Sequence, residues 1–323
     1  MHYDNHNRRG KASLFSVFPT RKKLMKKMIL STLLLLLTQA TYADLKLFVC
    51  EPEWAALATE LGGDNIQVSS ATNALQDPHY IQARPSLISK MGRADLIVCS
   101  GAQLEIGWLP MLLRKANNPD VLPGTPGFLE ASNYVKRLDI TLDSDRSQGD
   151  VHPQGNPHIQ TNPHNILLVA GAMTERLVQL DTANADSYQQ NLSSFRERWT
   201  IAITNWEKRA SVLRGKRVIP HHKSWRYLED WLGLIEVATL EPVSGIPPTA
   251  SHLASLLDRF GDKGADFIIR APFQSEKPSD WLSERTGIPA VLLPLTVGGT
   301  HEASDLFKWF DDIINRLLTA GDV

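Results

Sequence analysis

Only two cysteines occur in 323 residues, Cys50 and Cys99, and neither has a second thiol nearby in the sequence. Zinc-finger and zinc-ribbon sites, whose ligands come in closely spaced pairs, are therefore excluded. The chain also lacks a His-Glu-x-x-His helix and a Gly-x-Ser-x-Gly turn, so two familiar signs of zinc-dependent and serine hydrolases are missing. No short-period repeat or low-complexity tract is visible. Nor does any apolar run reach the roughly 20 residues that a membrane-spanning helix needs.

The longest apolar run, residues 28–37, is broken by Ser31 and Thr32 and follows a basic stretch of Arg21, Lys22, Lys23, Lys26 and Lys27. Small residues precede a cut after Ala43, which makes residues 1–43 a secretory signal peptide. Met25 or Met28 is the more ordinary start for such a leader, and residues 1–24 then read as an extension. Leu47-Phe48-Val49-Cys50 superficially resembles a lipobox, but Asp44 and Lys46 separate it from the apolar run and bulky Val49 precedes the cysteine. The expectation is a soluble, exported chain with no stable membrane insertion after cleavage near Ala43.

Removing the leader shifts the charge balance. It holds eight of the 34 Lys/Arg and one of the 35 Asp/Glu, leaving a formal net charge of −8. An acidic exported protein is a poor partner for nucleic acid or an anionic membrane, while handling cations is compatible with it. About 280 residues exceed a typical single domain, so two packed cores are expected.

The apolar pattern predicts strands at 45–50, 66–70 and 95–100, alternating with helices at 54–61, 85–91 and 109–116. Residues 118–128 and 143–158 read as loops. Two helical stretches follow, one beginning at Pro163 and one at about 183–212, the latter carrying Tyr188, Leu192, Phe195, Trp199, Ile203 and Trp206 at helical spacing. The alternation then resumes, with strands at 217–220, 235–240, 267–270 and 290–293. Helices are expected at 225–232, 250–260, 279–286 and 307–318. Strands alternating with helices indicate α/β architecture: two β/α sandwich lobes with parallel sheets, separated by a helical middle. Cys50 and Cys99 each close a strand in the first lobe. In an oxidising compartment a Cys50–Cys99 disulfide is the expectation, and two buried free thiols the alternative.

Three histidines, His79, His158 and His222, lie in short turn-like contexts: Asp77-Pro78-His79, Asn156-Pro157-His158 and His222-Lys223-Ser224-Trp225. Their spacing suits a site assembled by folding, with one ligand from each of several strand-end loops, where open α/β sheets bind ligands. A lone loop histidine is ordinarily solvated or hydrogen-bonding; three in such positions move the balance towards metal.

Asp77-Pro78-His79-Tyr80, Pro85-Ser86, Leu104-Glu105-Ile106-Gly107-Trp108, Gly155-Asn156-Pro157-His158 and Asn162-Pro163-His164-Asn165 stand in this order in the first half. His222-Lys223-Ser224-Trp225, Glu241-Pro242 and Thr286-Gly287-Ile288-Pro289 follow. The ordered set, spanning essentially all of the chain after its leader, resembles the metal-binding proteins of zinc and manganese ABC importers. That resemblance implies a periplasmic solute-binding protein, a monomer without catalytic activity, that passes metal to a membrane permease. It implies a lobe at 44–162, a linking helix at 163–182 and a second lobe at 183–323, with His79, His158 and His222 as ligands. Three imidazoles suit Zn2+, with Mn2+ the alternative because manganese usually takes more carboxylate oxygen. A secreted zinc-dependent hydrolase is the reading from a different class.

The chain departs from the family's pattern in one important place. Many relatives supply a fourth ligand as Asp near the end of a late strand, where this sequence has Leu293-Pro294-Leu295-Thr296 and no carboxylate. Glu51, His301, Glu302 and Asp305 are the candidate substitutes, as is water. The acid- and histidine-rich loop of some zinc-type members is reduced to Asp143, Asp145, Asp150 and His152, read as a solvated loop.

Overall fold

The computed structural model describes residues 44–141, 149–262 and 264–321. The segment 1–43, expected to be a signal peptide, and the loop residues Asp143 and Asp145 lie outside the described residues. Residues Asp44–Val323 form one compact unit. Among the described residues no helix is long and apolar enough to cross a membrane.

The first lobe is a parallel sheet of β1 (Leu45–Val49), β2 (Ile66–Ser70), β3 (Leu96–Cys99) and β4 (Phe128–Glu130), in spatial order β2-β1-β3-β4. The second repeats the plan with β5 (Arg217–Pro220), β6 (Ile235–Glu236), β7 (Phe267–Arg270) and β8 (Ala290–Leu292), ordered β6-β5-β7-β8. In both orders the winding reverses between the second and third strands in space, β1 and β3 in the first sheet and β5 and β7 in the second. Each sheet thus has a switch point at its carboxyl edge, where the crossovers diverge and leave a crevice.

Alternation along the strands explains the layering. Leu45, Leu47 and Val49 of β1 enter one core, whereas Phe48 and the following Cys50 enter another. Leu96 and Val98 of β3 divide from Ile97 and Cys99 in the same way. The period of two places Cys50 and Cys99 on one face, and the register Val49↔Val98 makes them neighbours. They form a disulfide with Cα atoms 4.8 Å apart. In the second lobe Phe267 and Ile269 join the first core and Ile268 a third. One hydrophobic core is therefore shared by both lobes, and each sheet has a private core on its other face.

Helices α1 (Pro52–Gly62), α2 (Pro85–Met91) and α3 (Leu109–Ala116) belong to the first lobe. The helical middle consists of α4 (Pro163–Leu180) and α5 (Ala185–Ala210). Helices α6 (Arg226–Leu232), α7 (Ala250–Phe260), α8 (Lys277–Thr286) and α9 (Leu306–Gly321) complete the chain. The apolar stripe of α5, Tyr188, Leu192, Phe195, Trp199, Ile203 and Trp206, is buried along its whole length. At one end α5 meets α1, where Asn191 Nδ2 donates to the carbonyl of Leu61 and Arg198 pairs with Glu60. At the other, Trp206 Nε1 and Arg209 both donate to Asp311 of α9. This helix fastens the two lobes together.

Two strands differ from expectation. β4 begins where a Pro/Gly-rich loop is expected to end, because a three-residue edge strand has no period to read. Its approach depends on Gly127, where a Cβ would lie 2.4 Å from the Asp120 carbonyl oxygen. The strand expected at 235–240 keeps regular pairing only over Ile235–Glu236. Beyond it, the amides of Val237 and Leu240 reach the carbonyls of Val218 and Pro220, so three residues on one side span two on the other. That bulge ends the ladder and turns the chain towards Glu241.

Candidate metal centre

His79 follows β2 in a turn set by Asp77, whose carboxylate accepts from both the His79 amide (3.0 Å) and the ring Nδ1 (2.7 Å). Trp108 Nε1 pins the intervening Pro78 carbonyl at 2.9 Å. Burial works against the Asp77 charge, but the hydrogen bond and charge of His79 outweigh it and hold the carboxyl below its ordinary range.

His222 stands two residues past β5. Its Nδ1 lies 2.7 Å from Glu241 Oε2, which also accepts from the Gly245 amide at 2.8 Å. A carboxylate can only accept, so His79 and His222 both carry their proton on Nδ1 and turn Nε2 with its lone pair towards the cleft. His221 points elsewhere: its Nε2 is 4.0 Å from Glu241, and burial pulls its pKa down.

His158 comes from the loop before α4. Asn156 shapes that loop by accepting from the His158 amide at 3.0 Å and, through Nδ2, donating across the cleft to the Lys223 carbonyl at 2.7 Å. Tyr227 adds a hydrogen bond to the Asn156 carbonyl, so the second and third histidine loops are tied directly. His158 is 1% exposed, and neither of its ring nitrogens has a hydrogen-bond partner. Burial, followed by the neighbouring His79, His222 and His152, pushes its pKa well down, so the ring is neutral with a lone pair available.

The three rings form an almost equilateral triangle, with centroids 5.4, 5.5 and 5.7 Å apart. One ligand atom from each lies within 4.8 Å of the other two. Such convergence of buried nitrogens is what a borderline-soft cation requires. Cys50, Cys99 and Glu105 also cluster, but the sulfurs are committed to the disulfide.

The candidate fourth ligands do not join the triangle. Glu51 is turned into the first lobe, where it accepts from Ser100 Oγ at 3.0 Å. His301 is fully exposed beside Glu302, which pairs with Arg316, and Asp305 pairs with Lys308. His152 instead approaches from the loop: its Nε2 is 3.3 Å from His79 Nε2. The sequence shows His152 only as part of a solvated loop and gives Asp77 and Glu241 no role. The Asx turn within Asp77-Pro78-His79 is a local signal that could have identified the first of these partners.

The family described as zinc-uptake complex component A, periplasmic, matches residues 48–320. The manganese ABC transporter substrate-binding lipoprotein PsaA of Streptococcus pneumoniae is 22% identical over 240 residues, 73% of this chain and 74% of the relative. The metal ABC transporter substrate-binding lipoprotein FimA of Streptococcus parasanguinis is 27% identical over 241 residues, with the same coverage of each chain. Among solved structures, ZnuA superposes with a TM-score of 0.71 at 21% identity, covering 84% of this chain and 99% of that one. The Mn-bound periplasmic metal-binding protein of Candidatus Liberibacter asiaticus gives 0.69 at 16% identity, covering 86% and 100%.

Proposed function

This chain belongs to the zinc-uptake complex component A periplasmic family, and from that premise we propose that it captures Zn2+ between its lobes through His79, His158 and His222 and hands it to a membrane permease. Its family role is that of the substrate-binding component of a metal ABC importer and not of an enzyme. The metal is cargo, and the chemistry required is tight, reversible ligation.

The observation that carries the zinc reading is the donor set. Three buried imidazoles converge, one of them with both nitrogens orphaned, and among the described residues no carboxylate oxygen stands within their mutual 4.8 Å. Manganese favours oxygen donors, whereas zinc accepts nitrogen readily and is held by three or four such ligands. Isothermal titration with Zn2+ and Mn2+ tests the choice. One zinc per chain is expected, with binding lost in His158→Ala and Mn2+ at least tenfold weaker. Undiminished zinc binding in the single His→Ala variants at 79, 158 and 222, or tighter Mn2+ binding, would overturn it.

The reading includes export. The leader directs the chain to the periplasm and is removed near Ala43, leaving a soluble monomer. Intact mass and N-terminal sequencing of the protein from periplasmic extract should give a chain beginning at Asp44; a retained leader or a lipid-modified Cys50 would contradict this.

A further inference from the structure

Residues 149–152 cross the mouth of the site as a strap. Asp150, Val151 and His152 line both a cleft of about 880 Å³ that contains His158 and His222 and a cleft of about 500 Å³ that contains His79. The strap is fastened to both lobes. Tyr80, next to His79, donates its hydroxyl to the Asp150 carboxylate at 2.9 and 3.1 Å. On the other side the Asp150 amide donates to the Ser244 carbonyl at 2.8 Å. The crossing is closely packed: a Cβ at Gly149 would lie 2.1 Å from Ser244 O, and one at Gly245 would lie 2.5 Å from Asp150 Oδ2. Both glycines also have positive φ, 109° and 81°, so the strap is built for this approach. Gly245 in turn supplies the amide that holds Glu241 against His222.

We infer that His152 is the fourth ligand of the metal site, delivered by this strap. The inference rests on the zinc reading of the three histidines. Zinc–nitrogen bonds of about 2.0–2.1 Å put adjacent ligand atoms of a tetrahedron about 3.3–3.4 Å apart. The His79 and His152 Nε2 atoms are 3.3 Å apart, within hydrogen-bond reach of each other and equal in length to one edge of that tetrahedron. His152 stands outside the mutual group of the other three, so ligation requires its ring to turn inwards while Asp150 keeps the strap in place. The fourth position, which this sequence does not fill with a late-strand carboxylate, is then closed by imidazole from the loop. Asp150 is a positioning residue: it touches no metal, but it fixes the segment carrying the ligand.

The test uses the full exported protein loaded with zinc, and in parallel with cobalt as a spectroscopic substitute. X-ray absorption at the zinc edge should fit four imidazoles in the wild type and three plus oxygen in His152→Ala and His152→Gln. The cobalt d–d bands should shift between wild type and these variants. Zinc affinity should fall at least tenfold in His152→Ala. Asp150→Asn should retain four imidazoles but release zinc to a chelator about tenfold faster. Three imidazoles plus oxygen in the wild type, with an unchanged spectrum and affinity in both His152 variants, would overturn the inference. His158→Ala separates this from the parent reading. If that variant loses zinc while the His152 variants are unaffected, only the fourth ligand is refuted; if it retains full zinc affinity, the three-histidine site itself is refuted.

Discussion

The metal centre uses two kinds of histidine. His79 and His222 are oriented by carboxylates on Nδ1, which set their tautomer. His158 is oriented only through its backbone and the fit of its surroundings, and its ring meets no hydrogen-bond partner. Leaving both nitrogens of a buried imidazole unpartnered costs folding energy that a cation would recover. The consequences of mutation should differ accordingly. Glu241→Gln keeps an acceptor but removes the charge facing Nδ1, so zinc affinity should fall roughly 10–100-fold, as for other partners behind metal ligands. Stoichiometry should stay at one zinc per chain. Competition titration against a chelator of known affinity measures the change. An affinity within twofold of wild type would mean that Glu241 only shapes the loop.

At the scale of elements, the disulfide joins the carboxyl ends of β1 and β3 on the face away from the shared core. The bond closes a separation of 49 residues, for which loss of a native disulfide costs about 2–5 kcal/mol. The Cys50→Ala/Cys99→Ala double variant should therefore unfold at a clearly lower urea midpoint while still binding one zinc. An unchanged midpoint would show that β1 and β3 need no covalent tie. The cysteine pairing was open to inference from sequence because both residues end a recognisable apolar strand, and a period of two then fixes their face. The stripe of α5 was equally legible, since about five turns of repeated apolar spacing from Tyr188 to Trp206 leave little choice of face. The three histidines were legible because each follows a strand or opens a helix in a short turn containing Pro or Ser. Their partners were less so. Glu241 reaches His222 only after a bulge re-aims the chain, and His152 meets His79 across 73 residues, through a crossing that no local pattern encodes. Glu51 illustrates the converse: acidity made it a candidate ligand, but hydrogen bonds with Ser100 turn it away from the site.

Across the whole molecule, the lobes also meet through a buried acidic junction. Glu51, Glu53 and Glu105 are 3%, 1% and 2% exposed, and Thr296 of the second lobe donates to Glu53 Oε2. Burial pushes Glu53 and Glu105 up to about 7, and burial together with the charges of Glu105 and Glu53 raises Glu51 well above the usual range. In an unfolded chain these groups titrate near 4.5. The folded state therefore binds more protons than the unfolded one between those limits, and stability must fall as pH rises through them. The stabilising contribution is complete below about pH 4.5 and lost as pH passes about 7. Its size is of order a few kcal/mol, since a tenfold change in proton affinity is worth about 1.4 kcal/mol. Asp77 and His158 act in the opposite sense, because a lowered carboxyl and a lowered imidazole both lose stability on acidification. A window from pH 6 to 8.5 leaves out the Asp77 contribution. Glu229, raised to about 8 by burial, adds to the same fall, so the Glu53 variant is needed to single out the junction. Urea unfolding of the chelator-treated protein across this window should show a falling midpoint. Glu53→Gln, which keeps an acceptor for Thr296 without a charge, should be more stable than wild type at pH 8 and show a shallower slope. Identical slopes in the two proteins would mean that Glu53 keeps the same charge in folded and unfolded chains, and that the lobe junction is not held by protonated acid.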